Sequence, residues 1–100
     1  MTQYTQNSNK NITITVEDIN RNRVSGATIT VIDNRGNTYE VSEQWNGQYK
    51  FTRSDRNYDY TITVSAEGYQ TASVTIKGNK TSTTVTLEEV VDVTGENWQN

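Results

Sequence analysis

The sequence predicts a seven-stranded antiparallel β-sandwich, and three observations carry the prediction. Apolar residues alternate with threonine and serine along most of the chain, a period of two that places one set of side chains on each face of a sheet. Glycine and asparagine clusters interrupt the alternation at roughly 8–12 residue spacing, as short strands joined by turns require. No segment carries an apolar stripe at helical spacing, so helix should be close to absent. A closed barrel is the competing arrangement of the same strands.

The first strand is read as Asn11 to Glu17, with Ile12, Ile14 and Val16 on one face and threonines on the other. The second is Ala27 to Asp33, with Ala27, Ile29 and Val31 inward. Asn34-Arg35-Gly36-Asn37 then supplies residues that tolerate positive φ, as a tight hairpin demands, and strand three follows as Thr38 to Val41. Glu43 to Gly47 contains an Asn-Gly pair of the same kind, so Gln48 to Thr52 should complete a second hairpin, with Tyr49 and Phe51 on one face. After a charged loop at Arg53 to Asn57, Tyr58 to Ala66 turns inward Tyr60, Ile62, Val64 and Ala66. Glu67-Gly68-Tyr69 leads into Thr71 to Lys77 with Ala72, Val74 and Ile76 inward. Gly78-Asn79-Lys80 leads into Ser82 to Leu87 with Thr83, Val85 and Leu87 inward.

One hundred residues with 31% hydrophobic content suffice for one modest core, hence one domain. Three parts are expected: a polar N-terminal arm at 1–10, the sandwich at 11–87, and an acidic C-terminal tail at 88–100. Met1 with no tag or cloning remnant leads to the expectation of a complete natural gene product. The net charge of −3 is uneven, because Glu88, Glu89, Asp92 and Glu96 stand in the tail with no base. The body is nearly neutral and has no basic stripe, so nucleic acid is not an expected partner. No signal-like N-terminus and no membrane-length apolar run occur, so no membrane insertion is expected. Without cysteine, stability must come from packing and ladder hydrogen bonds.

The stretch Val16 to Val31 with its Ser25-Gly26-Ala27, the Gly47-Gln-Tyr-Lys-Phe51 run and Ala66-Glu-Gly-Tyr69 together resemble the carboxypeptidase regulatory-like family. The resemblance covers Asn11 to Leu87 and implies a transthyretin-like, immunoglobulin-like β-sandwich that serves as a structural accessory. Arg21-Asn22-Arg23 stands where relatives usually have Gly and Pro, which implies a looser, more solvated turn. Related pilin domains carry a Lys–Asn isopeptide. The first strand here lacks an inward Lys and Ser82 to Leu87 lacks Asn, so that cross-link is not expected.

Chemistry has few residues to work with. A Ser or Thr nucleophile needs a base, usually histidine, and the chain has none, so no catalytic residue and no enzyme activity are expected. Asp55 and Asp59 are the closest carboxylate pair, but four-residue spacing on a loop gives no reason for a shared pocket. Glu17-Asp18 and Asp33-Asn34 could form a weak calcium site if they met at one end of the sandwich, yet they lack the dense acidic loop such sites use. No cofactor and no metal are expected.

Binding is therefore the expectation, through what the strands leave over. The candidate partner-binding residues are Trp98, Val90, Val91 and Val93 in the tail, Tyr4 in the arm, and Trp45, Arg53 and Arg56 on loops. The expected role is a non-catalytic accessory of a large assembly, a phage capsid or virion decoration protein made in the host cytoplasm and attached by its terminal arms to a capsid or other virion protein. The alternative is a glycan- or protein-binding module of a bacterial cell-surface or secreted protein. Its contact surface would be Trp45 with the Arg53 to Asn57 loop, stacking on sugar.

Overall fold

The computed structural model describes residues 10–91, and these form two facing four-stranded sheets. The strands are β1 (Asn11–Asp18), β2 (Thr28–Asp33), β3 (Thr38–Tyr39), β4 (Ser42–Trp45), β5 (Gln48–Thr52), β6 (Asp59–Ser65), β7 (Ala72–Lys77) and β8 (Ser82–Leu87). One sheet has the order β4-β5-β1-β8 and the other β3-β2-β6-β7. No helix forms among the described residues. The predicted all-β sandwich is present, with eight strands in place of seven.

The additional strand is β4, in the segment read as a turn. All four of its residues are exposed and a bulge lies between Glu43 and Trp45, so it has no alternation for a sequence pattern to register. The second hairpin is accordingly β4–β5 around Asn46-Gly47, while β3 stays with β2 in the opposite sheet. A second difference is that β8 pairs with β1 in parallel, from Thr13↔Ser82 to Asp18↔Leu87. Residues 78–81 thus carry the chain from one sheet to the other. Gly78 has no room for a side chain there, since a Cβ would stand 2.7 Å from the Tyr58 carbonyl oxygen and 2.8 Å from that of Asp55.

Twelve apolar side chains are buried between the sheets, among them Ile12, Ile14 and Val16 of β1 and Tyr60, Ile62 and Val64 of β6. Their alternation predicted this face correctly. Ala72, Val74 and Ile76 of β7 are half-buried and pack on the core from its edge.

Parallel β1 and β8 give the sandwich two distinct ends. Lys10 enters at the end that carries the β2–β3 turn, called here the Asp33 end. Val91 leaves at the opposite one, the Asp18 end. Past β8 the backbone crosses to the other sheet: Gln70 N–H donates to the Glu88 carbonyl (2.8 Å) and Val90 N–H to that of Gly68 (3.0 Å). The hydrogen-bonded fold therefore extends to Val90, beyond the expected limit at Leu87.

The same five-residue loop closes both ends. In Asp18–Asn22 and in Asp33–Asn37 the first residue's Oδ1 accepts the N–H groups two and four positions on. Its backbone pairs with the fifth residue and with the fourth. The turn expected to be loose is thus braced by its own aspartate. The fourth position needs positive φ, which Gly36 supplies at 93° and Arg21 adopts at 70°. Left-handed backbone disfavours a side chain by about 1–2 kcal/mol, against about 0.4–1 kcal/mol for the extra unfolded-state freedom of glycine. Arg21→Gly should accordingly raise stability by ~0.5–1 kcal/mol in urea denaturation, and a lowered midpoint would contradict this account of the loop.

Candidate functional site

At the Asp33 end a polar network sits against an aromatic cluster. Tyr39, Phe51 and Tyr60 pack with ring centroids 5.3–5.8 Å apart. Asp33 is buried, and its carboxylate accepts four donors: the Arg35 and Asn37 amides, the Asn37 side chain and the Tyr39 hydroxyl. With its proton committed to Asp33, Tyr39 accepts from Ser54 Oγ at 2.7 Å. Burial alone would raise the Asp33 pKa, but the hydrogen bonds outweigh it and bring the group from 3.8 to about 2. Burial and the Asp33 hydrogen bond push the Tyr39 phenol well above its ordinary range.

Ser54, Tyr39 and Asp33 form a chain that superficially resembles a nucleophile, base and acid. A phenol held protonated by burial and by a carboxylate acceptor cannot take a proton from serine near neutral pH, so the chain is a brace. Tyr60 has a similar role: its hydroxyl donates to the Asp55 carbonyl and accepts the Ser54 and Asp55 amides, which holds the Arg53 to Asn57 loop.

At the Asp18 end two more carboxylates are engaged. The Asn22 amide holds the Asp18 carboxyl below its ordinary range, against a smaller opposing effect of desolvation. Glu43, which the sequence reading passed over, accepts from Ser25 Oγ, Gly26 N and Gly47 N and is lowered by the same three donors. Glu43 thereby ties exposed β4 to the segment between β1 and β2. Tyr49 completes the end, donating to the Val24 carbonyl and accepting the Ala27 amide.

The structure separates several residues that the sequence grouped. Asp18 and Asp33 lie at opposite ends, so the considered calcium pair does not converge. Among the described residues no cluster of three acidic side chains is placed to hold a metal ion. Asp55 accepts the Asn57 amide, and Asp59 stands 3.7 Å from Lys77 Nζ. Trp45 is 69% exposed, with Nε1 donating to Gln48 Oε1, and it is not a lid over the sandwich. Its place at the Asp18 end of the β4–β5 hairpin puts it at the other end of β5 from Arg53 and Arg56, so these do not form one surface. Tyr4, Val93 and Trp98 lie outside the described residues.

Val91 shares a surface with Ile19, a residue the sequence did not single out. Ile19 is 64% exposed, Val90 57% and Val91 73%. Ile19 and Val91 line an open groove of about 420 Å³ together with Asp18, Asn20, Glu88 and Glu89. An isoleucine inside the otherwise polar run Asp18 to Arg23 was the available signal.

The model of the carboxypeptidase regulatory-like domain matches residues 11–94, a range that includes all eight strands. No curated protein and no solved structure matches the chain.

The Asp33 network makes stability depend on pH. A carboxyl whose folded pKa lies below its unfolded 3.8 contributes stability that is present above that value and lost as pH falls through about 2. Asp18 and Glu43 act in the same direction. Thermal melts between pH 5 and 2 should show a steep fall for the native chain and a shallower one for Asp33→Asn; equal slopes would place the acid sensitivity elsewhere. Tyr39→Phe, which removes one donor and keeps the ring, should lower stability by ~1–2 kcal/mol at pH 7.

Proposed function

The chain belongs to the carboxypeptidase regulatory-like domain family, and on that premise we propose that it is a non-catalytic structural accessory of a large protein assembly. Domains of this immunoglobulin type are generally non-catalytic. The form of the proposal that follows from the sequence is a virion decoration protein docked on a capsid or tail.

One observation carries the docking reading: Val90 and Val91 stand largely in water at the point where the described chain leaves the sandwich. Val91, which lines one groove with exposed Ile19, makes with it an apolar patch of the kind that partner proteins cover. The braced loops support the same reading, because a rigid end face loses little conformational entropy on docking. Attachment is proposed through this end and the residues beyond it.

A second reading rests on Trp45. Trp45 stands on the exposed edge strand β4 with its indole edge fixed by Gln48, which leaves the ring available for stacking on a sugar. With the Arg53 to Asn57 loop at the opposite end, the glycan surface in this reading contracts to the β4–β5 hairpin. A fluorescence titration in a Trp98→Phe background against an oligosaccharide panel tests it. A saturable Trp45 change would favour the glycan-binding module.

The assembly reading has its own test in a density gradient of particles from the native source. The chain should co-migrate with a virus-sized particle at a fixed copy ratio after high-salt washing. Recovery only among free small proteins would overturn the proposal.

A further inference from the structure

We propose that the groove at the Asp18 end is a docking site for a partner protein segment in which a long cationic side chain sits beside an aliphatic or aromatic one. The inference rests on the docking reading above and names the surface and the chemistry of its occupant.

The groove is lined by the apolar residues Ile19 and Val91, by Asn20 and by the acidic residues Asp18, Glu88 and Glu89. Its volume of about 420 Å³ falls in the range of small binding clefts, ~300–1,000 Å³. Glu88 and Glu89 make no ion pair or side-chain hydrogen bond among the described residues, although their backbones are fixed by Gln70. The sites of negative charge are therefore held in place while the charge itself is unanswered. Lysine and arginine match such a surface, because their methylene stems cover apolar walls while the charged head reaches a carboxylate.

Comparison of the two end loops isolates Ile19. The loops share the same five hydrogen bonds, yet the position after the aspartate is Asn34 at one end and Ile19 at the other. Nothing in the loop geometry calls for an apolar residue there. Asn34 has a local task, accepting the Asp59 amide, whereas Ile19 projects its side chain into the groove wall.

Charge selects among possible occupants. Residues 92–100 bring Asp92 and Glu96 with no base, so the chain's own tail would set like charge against the groove. A second copy meeting face to face would oppose the same carboxylates to one another. A metal ion is disfavoured because the three carboxylates do not form a cation-holding cluster. A foreign basic and apolar segment is the occupant that satisfies both the walls and the charge.

The test screens the immobilised full chain against a displayed library of random short peptides at low salt. Recovered sequences should share a Lys or Arg beside a large apolar residue. Their binding should weaken with added salt and fall roughly tenfold or more for Ile19→Ser and for Glu88→Lys with Glu89→Lys. All these positions are exposed, so unchanged melting curves confirm that the variants fold.

No enrichment, an acidic or uncharged consensus, or binding untouched by the variants would overturn the proposal. So would concentration-dependent dimerisation abolished by Ile19→Ser, or Ile19 resonances that shift when residues 92–100 are removed, since the occupant would then be a second copy or the tail. A chain that co-migrates with particles yet fails this screen would keep the docking reading and lose the groove. One that selects basic peptides without joining a particle would do the reverse.

Discussion

Because β1 and β8 run parallel, the last strand ends beside Asp18, and the backbone beyond it has to find partners outside the sheet it has left. It finds them across the sandwich. Gln70 and Glu88, then Val90 and Gly68, join the edge that carries β8 to the edge that carries β7. Each such bond is worth only ~0.5–1.5 kcal/mol net, but the pair fixes the direction of Glu88 to Val91. The groove, the exposed valines and the two carboxylates that have no side-chain partner among the described residues all depend on that direction. Without the crossing the same residues would be a free polar tail, and the Asp18 end would have no built surface.

The rest of the polar chemistry serves to keep both ends rigid. Asp18, Asp33 and Glu43 each accept several donors from loops, and Tyr39, Tyr49 and Tyr60 each pin a loop through a buried or half-buried hydroxyl. In a chain with no cysteine, and with a core of modest size, such braces take the place of cross-links. They also explain why the acids and hydroxyls make poor catalytic groups. A carboxylate saturated by backbone amides has little basicity left, and a phenol bound to a carboxylate keeps its proton. Glu88 and Glu89 depart from this pattern, which is why the Asp18 end rather than the Asp33 end reads as a binding surface.

Much of this was legible in the sequence, for a physical reason. Alternation at period two reports which face a residue occupies, so the buried sets of β1, β5, β6 and β8 could be read directly. It does not report the partner strand, and the parallel β1–β8 pair and the crossing after Leu87 were therefore invisible. β4 escaped because an all-exposed, bulged edge strand has no alternation; it is held by its ladder to β5 and by one side chain, Glu43, reaching Ser25 and Gly26. The loop braces were available as a repeated spacing, Asp18 with Asn22 and Asp33 with Asn37, but an acid followed by asparagine is common enough in turns to carry little weight unaided. Among the candidate binding residues, Val90 and Val91 were named from composition alone. Ile19 was not named because its place beside Val91 in one groove is a tertiary relation.

The fold extends through Val90 and thereby presents a fixed end face. Native-state hydrogen exchange followed residue by residue in the full chain decides whether it does. If the two sheets are joined as described, the Gln70 and Val90 amides will be protected together with the amides of β8, and Glu88 to Val90 will exchange as part of the sandwich. Exchange of Val90 and Gln70 at free-chain rates, while β8 stays protected, would show that the chain is released at Leu87 and that the Asp18 end has no fixed groove.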